Sequence, residues 1–447
     1  GLKFHSGNPI TAEDVVWTLQ EYNTKTMTAG TVAMAGIRAE NIEALDEYTI
    51  RFTLDFSMSS FLQYLIQTPI GVMDMDLILE HGGVTEMVVQ PWLAKNDAGS
   101  GPYKLDHRTP GDEIVLTAFE DYWREGYPKT KKIIYKIIPE IETLEMLLVR
   151  GEIDIIWDLP PKDVERLDAK EGIKVISELS ARTVFLQFRT EQETGIAPPE
   201  FANKKVREAL RYTMPYEDII EQVEYGKAVR LGSLVPYVFP DYVDTYTDKY
   251  YHDLDKAKEL LEEAGYPDGF EFIVTLGAGM APTVEDIMVA WQSELAKIGV
   301  KLVLLVLPTT EFLTILGNHE LPLWFADWTS FNTDPYYQMH WLCTGDSLAQ
   351  LGVTGPNWTN PADLIDLIKD PGIYPKLQDI WLSGFSNPDS AARDRISKEL
   401  QQEAINCCYQ ILIYQPNINI AIHENVHDWY VHLENNIHPQ TVYALVS

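Results

Sequence analysis

A chain of 447 residues is too long for one compact core, which makes two domains the natural expectation. Hydrophobic residues make up 45% and charged residues 23%, an ordinary globular balance that excludes wholesale disorder. With 35 Lys and Arg against 67 Asp and Glu the net charge is −32, which repels phosphate backbones and anionic lipid surfaces and argues against a nucleic-acid partner.

Residues 2–5 alternate like a strand, Ser6-Gly7-Asn8-Pro9 turns, and Thr11-Ala12-Glu13-Asp14 reads as a capping box that opens a helix through Val15, Val16 and Leu19. A helical pattern covers residues 55–66, and residues 92–97 lead into a tight turn at Gly99-Ser100-Gly101-Pro102. Residues 103–105 and 113–119 are expected to pair across Thr109-Pro110-Gly111-Asp112. Residues 133–138 form a β-branched strand, 141–150 a helix stopped by Gly151, and 153–157 a short strand, an α/β succession.

A strand at 183–188 precedes helices at 204–214 and 217–224. A strongly periodic helix at 255–264 is stopped by Gly265, and strand 270–276, helix 284–298 and strand 300–307 make a second α/β unit. Residues 393–404 form a late helix and 410–422 are extended, which suggests a return to the first lobe. No internal repeat or low-complexity tract interrupts the pattern.

The three cysteines, Cys343, Cys407 and Cys408, include an adjacent pair and no CxxC or His/Cys cluster, so neither structural disulfides nor a zinc site is expected. No run reaches the length of a membrane span, so no membrane insertion within the chain is expected. The chain opens on Gly1-Leu2-Lys3-Phe4 with no leader, as a processed or truncated product would.

Several stretches share one further property. KFHSGNPITAEDVV at residues 3–16, GSGPY at 99–103, PGD at 110–112, DYW at 121–123, LLVRGEIDI at 147–155, KVREAL at 205–210, and WFADW at 324–328 followed by Asp334-Pro335 fall in one characteristic order. Together they resemble the family 5 extracellular solute-binding proteins, the dipeptide-, oligopeptide-, nickel- and oligosaccharide-binding components of ABC importers. The resemblance implies a two-lobed, periplasmic-binding-protein-like α/β fold with a hinge and an interlobe ligand cleft. Lobe I would comprise residues 1–183 plus 415–447, and lobe II residues 184–414. It implies a monomer without cofactor or enzymatic reaction, periplasmic or at the cell surface. Such a protein captures a peptide between two closing lobes and delivers it to an ABC transporter permease. An oligosaccharide ligand is the runner-up, and a secreted hydrolase stands behind it.

Three departures stand out. The opening strands of the first lobe, which precede the first of these segments in the family, are absent. The family's YL-x-FN crossing strand reads FLQFR at 185–189, with Arg189 in place of Asn, and the interval from Asp327 to Asp334 carries an insertion.

The same resemblance places Asp327 where peptide-binding members receive the ligand amine. A carboxylate on a cleft wall is costly until a cation joins it, and Trp324, Phe325 and Trp328 beside it in sequence would lower the local dielectric. The aromatic set Trp324, Trp328, Phe331, Tyr336, Tyr337 and Trp341, beside Asn332, Asp334 and Gln338, suits ring stacking on sugars equally well. Gly101 could bring backbone groups close to a ligand, and Arg182 and Arg189 could meet a ligand carboxylate, although a plain turn and surface ion pairs are the commoner explanations of such residues. His340 is the one histidine near this segment, so a bound metal is disfavoured.

One motif argues for catalysis. His423-Glu424-Asn425-Val426-His427 matches HExxH, but residues 417–422 alternate with period two after Pro416, so the segment reads as strand and loop and not as the helix zinc requires. No nucleophile elbow, P-loop or dinucleotide fingerprint accompanies it.

Overall fold

The computed structural model describes residues 1–22, 37–54, 57–65, 71–84, 91–190, 195–278, 282–318, 320–329, 333–343, 375–428 and 443–444. They divide into two compact units: one from the described residues up to Ile176 and from Asn419 onward, the other from those between Ser177 and Ile418.

The first unit opens with helix α1 (Ala12–Trp17), where the Asp14 carboxylate accepts from the Thr11 N–H at 2.9 Å and the Thr11 hydroxyl at 2.8 Å. Strands β1 (Ile37–Asp46) and β2 (Thr49–Leu54) form an antiparallel hairpin. Of the helix expected over 55–66, α2 (Phe61–Leu65) is helical and residues 57–60 are not, while residues 55, 56 and 66 lie outside the described residues. Helix α3 (Met75–Glu80) is capped by Asp74, which accepts the Leu77 N–H at 3.0 Å.

A three-stranded antiparallel sheet follows, in the order β3 (Tyr103–Thr109), β4 (Glu113–Ala118), β5 (Lys132–Lys136). The β3–β4 turn uses Gly111 at φ 76°, a conformation that costs a residue with a Cβ. Helix α4 (Ile141–Val149) then leads to β6 (Ile155–Ile156), α5 (Val164–Asp168) and β7 (Ile173–Leu179). Leu148, Ile156, Leu159, Val164, Leu167 and Ile173 pack together as a core, each side chain worth roughly 1.5–3 kcal/mol of burial.

The second unit begins with β8 (Arg182–Phe188), α6 (Lys204–Tyr212) and β9 (Ala228–Arg230). Between the last two, the helix expected at 217–224 is a short α turn followed by a π turn, in which the Glu224 N–H reaches back to the Ile219 carbonyl at 3.0 Å. Helix α7 (Leu254–Ala264) has the predicted stop, Gly265 at φ 91°, and an Asp253 cap. Strand β10 (Glu271–Gly277) pairs in parallel with β11 (Lys301–Leu307) across helix α8 (Pro282–Ala296), the crossover expected of an α/β unit. Helix α9 (Thr309–Gly317), β12 (Leu323–Thr329), α10 (Pro335–Cys343), α11 (Pro375–Phe385), α12 (Ser390–Cys407) and β13 (Gln410–His423) complete it. Within this unit β12, β8, β13 and β9 pair antiparallel in that order.

The KVREAL stretch has a structural task. Arg207 and Arg211, one turn apart on α6, reach the carbonyls where α12 gives way to β13. Arg207 donates to Cys407 O at 3.1 Å and Cys408 O at 2.7 Å, and Arg211 to Ile405 O at 2.9 Å and Gln410 O at 2.8 Å. They satisfy acceptors that a helix C-terminus leaves open. Arg211 is fully buried, with its guanidinium 4.5 Å from the Tyr250 ring centroid and 5.2 Å from that of Tyr246.

The last residues of β13 belong to the first unit, where Ala421 pairs with Ile156 of β6. Strand β14 (Val426–His427) pairs with β15 (Tyr443–Ala444).

Candidate functional site

Strand β12 carries most of the residues singled out in the sequence, and its register with β8 sorts them. Trp324 lies opposite Gln187 and Trp328 opposite Thr183, whereas Phe325 lies opposite Leu186 and Asp327 opposite Val184. Side chains alternate along a strand. The two tryptophans therefore share one face with Gln187, Phe185 and Thr183, and position 327 falls in the alternate set with Leu323 and Phe325. Proximity in sequence suggested that both tryptophans flank Asp327; the register separates them from it. The Asp327 carboxylate itself lies outside the described residues, as do Phe331 and Asn332. Phe325 is core, while Trp324 and Trp328 stay half-buried, Trp324 edge-on to Phe185 at 6.4 Å between ring centroids.

Helix α10 covers the tryptophan face through a buried polar network that the sequence reading missed. Gln338 donates to Thr183 Oγ1 at 3.2 Å and to Leu234 O at 3.0 Å, and Gln410 donates to Gln187 Oε1 at 2.8 Å and to Leu342 O at 2.8 Å. All three glutamines are buried. The signal available was a glutamine amid the apolar run FLQF, which is costly to bury without partners; here Gln187 Oε1 has one, while Gln187 Nε2, Gln338 Oε1 and Gln410 Oε1 are buried without one among the described residues.

Asp334 and Tyr336 anchor α10 from within the core. Asp334 accepts from the Tyr336 N–H at 3.0 Å and takes both oxygens to one nitrogen of Arg393, at 2.9 and 2.8 Å. The Tyr336 hydroxyl donates to Arg393 O at 2.5 Å, its ring lies 4.5 Å beneath the guanidinium, and burial pushes its phenol above the ordinary value. Gly384 makes room for it, since a Cβ there would sit 2.1 Å from the hydroxyl. Tyr336 is thus enclosed in this structure, and so is Tyr337; Trp341 lies farther along α10. Arg189, just past the end of β8, is also buried and donates Nε to Leu321 O at 3.3 Å. Arg182, at the other end of β8, stands opposite Thr329.

In the first unit the KFHSGNP and GSGPY stretches meet. The His5 ring lies between Asp97 Oδ1 at 2.5 Å through Nδ1 and the Gly101 carbonyl at 2.8 Å through Nε2. The other Asp97 oxygen accepts the Leu105 N–H at 2.6 Å. Burial opposes ionisation of Asp97, but the His5 and Leu105 hydrogen bonds outweigh it and hold its carboxyl below the ordinary value. Ser6 donates to Asp74 at 2.5 Å and Asn8 at 3.2 Å, so this turn is tied to the cap of α3. Gly101 keeps its carbonyl on His5, and a Cβ there would meet open space.

The HExxH residues are not on a helix. His423 ends β13, His427 lies in β14, and a turn separates them; His423 Nδ1 lies 2.9 Å from Asn425 Oδ1. Two ligands one helical turn apart are what zinc needs, and the strand–turn–strand path does not supply them. Among the described residues there is no cluster of three potential metal ligands, and no helix long and apolar enough to cross a membrane.

Comparison with known proteins adds to this geometry. Residues 1–349 match the family model for bacterial extracellular solute-binding proteins, family 5 Middle. The chain is 28% identical to the oligopeptide-binding protein AppA of Bacillus subtilis over 315 residues, 67% of this chain and 56% of AppA, so it spans little more than half of that relative. It is 24% identical to the probable D,D-dipeptide-binding periplasmic protein DdpA of Escherichia coli over 426 residues, 95% of this chain and 76% of DdpA. Among solved structures, a dipeptide-binding protein of Pseudoalteromonas sp. SM9913 in complex with Met-Leu shares the fold at a TM-score of 0.81 and 20% identity. That match covers all of this chain and 86% of the other.

Proposed function

Because the chain belongs to the bacterial extracellular solute-binding proteins of family 5, we propose that it captures a short peptide outside the cytoplasm and hands it, chemically unchanged, to the membrane permease of an ABC importer. Peptide is the ligand in the names of AppA and DdpA and in the Met-Leu complex. The observation that carries the reading is β12, which holds an acidic position in one register set and two half-buried tryptophans in the other. A peptide's ammonium group suits the acidic position; the tryptophans, in the alternate set, are not part of that contact. Capture would turn on residues 176–177 and 418–419, where the described chain passes from one unit to the other. A ligand that favours the closed arrangement raises its population, and that arrangement is what the permease would recognise.

Native mass spectrometry of the purified protein, before and after mild unfolding, tests the ligand class. Released small peptides support the proposal; a released oligosaccharide would transfer the binding role to Trp324 and Trp328 and overturn the peptide reading. Replacing Asp327 tests the amine receptor. A lost charge-assisted pair costs roughly 1.5–3 kcal/mol, so Asp327→Ala is expected to weaken a re-synthesised co-purified peptide by about ten- to hundredfold in calorimetric titration. Unchanged affinity removes Asp327 from the site.

A further inference from the structure

The loop of residues 119–131, between β4 and β5, leaves the first unit on a fixed root. Phe119 is buried, edge-on to the His5 ring at 5.0 Å between centroids, and its N–H donates to the Pro102 carbonyl at 2.9 Å. Asp121 pairs with Lys3 at 3.0 Å. Beyond that root stands Trp123, 65% exposed and the one exposed tryptophan among the described residues. A single apolar ring in water means little by itself; its neighbours set this one apart.

From Trp123 to Lys136 the chain carries the cations Arg124, Lys129, Lys131, Lys132 and Lys136 against the single carboxylate of Glu125, although Asp and Glu outnumber Lys and Arg by 67 to 35 in the whole sequence. Lys136 is taken by Glu113 at 2.5 Å. The other four are exposed, and none has a carboxylate partner among the described residues. Exposed lysines elsewhere do have one, as Lys205 has Glu263, Lys301 has Glu271 and Lys398 has Asp394. At the tip the Tyr127 ring holds the Arg124 guanidinium 4.1 Å and the Lys129 ammonium 5.2 Å from its centroid, which keeps two like charges together.

An exposed indole beside uncommitted cations fits an anionic partner. Three of the four cations are lysines, which the cores of protein interfaces exclude. A lipid surface attracts Lys and Arg alike and takes tryptophan at the level of its headgroups. The net charge of −32 does not forbid such a contact, because at physiological ionic strength the field of a carboxylate fades over about 8 Å and only the surroundings of the loop count.

We propose that this loop is a peripheral docking surface for anionic phospholipid headgroups. Arg124, Lys129, Lys131 and Lys132 meet the phosphates, and Trp123 rests among the headgroups without any part of the chain crossing the bilayer. Because it requires a protein that works outside the cytoplasm, this role rests on the function proposed above. It would keep the first unit on the membrane that carries the permease, so that a loaded protein searches a surface instead of a volume.

Flotation of residues 1–447 with vesicles of equal phosphatidylglycerol and phosphatidylcholine, and with phosphatidylcholine alone, tests the contact. Binding is expected to the mixed vesicles only, and to fall steeply between about 0.05 and 0.5 M salt. Arg124→Gln, Lys129→Gln, Lys131→Gln and Lys132→Gln should each lower the partition coefficient about fivefold, and Trp123→Ala should lower it as well. Lys301→Gln, at an exposed lysine of the second unit, should leave it unchanged. All these positions are exposed, and a melting midpoint equal to the parent's confirms that each variant folds. No binding to the mixed vesicles overturns the proposal, as does binding indifferent to the loop variants. Loop-dependent binding of polyglutamate in place of vesicles would assign the patch to an acidic protein face, and overturns it too. Peptide release is read separately by native mass spectrometry, so a chain that floats but releases no peptide refutes the ligand class and keeps the lipid contact, and a chain that releases peptide but does not float does the reverse.

Discussion

Arg393→Met probes whether Asp334, Tyr336 and Gly384 hold the second unit together. The substitution keeps most of the side-chain volume but deletes the guanidinium. It removes two bonds to Asp334, those to Gly384 O at 3.1 Å and Phe385 O at 2.7 Å, and the contact over the Tyr336 ring. The Asp334 carboxylate, only 2% exposed, is left charged without that counter-ion. Removing one partner of a buried pair costs about 3–5 kcal/mol, chiefly through the stranded charge. For a unit of this size each kcal/mol lowers the midpoint by about 2–4 °C, so the second unit should melt some 6–20 °C earlier. Thermal and urea unfolding followed by tryptophan fluorescence, fitted with a separate transition for each unit, gives the number. Asp334→Asn in the same chain removes the stranded charge, so the double variant should recover more than about 1 kcal/mol of the loss. A midpoint within about 2 °C of the parent, or a double variant no better than Arg393→Met, would refute the assignment.

Two other outcomes follow from the same structure. Gly384→Ala forces a Cβ to within 2.1 Å of the Tyr336 hydroxyl and 2.4 Å of its ring, and overpacking of this kind costs about 1–3 kcal/mol; chemical denaturation should show the loss, and a neutral result means that Tyr336 is not fixed as described. The Asp97 carboxyl is held below its unfolded value, so it adds stability above pH 4 that disappears as pH falls through the folded value. The unfolding midpoint of Asp97→Asn should therefore change less between pH 5 and pH 2.5 than the parent's, and parallel curves would discount the His5–Asp97 contact.

Local signals carried much of the architecture. The Gly265 stop ends α7, Thr11 and Asp14 open α1, and Gly111 turns β3 into β4, because each is a short-range event written in a few residues. Family motifs pointed to β12 and its surroundings but said little about what each residue does there. Asp334 and Tyr336 lie in a motif next to β12, yet their partners, Arg393 and Gly384, are about 50 residues further along and carry no local mark. The separation of Asp327 from the tryptophans was open to reading, since strand alternation alone predicts it once 323–329 is recognised as β. The glutamine network needed three elements brought together and had no single-stretch signature. The Ile133–Ile138 run was legible as a strand, but not the exposure of Ile134 and Ile137, which depends on what lies alongside.

The division of β13 between the units also bears on how the protein is made. Unit one needs Ala421 and Ile422 beside Ile156 and Ile155, yet about 240 residues of chain separate Ile176 from Asn419. At roughly 5–20 residues per second a ribosome takes on the order of 12–50 s to cover that distance. Throughout that interval the segment ending at Ile176 has emerged with its core strand still unsynthesised, and its isoleucines are open to other chains. Expression yield should therefore respond to translation speed and to holdase chaperones more through the first 176 residues than through the remainder.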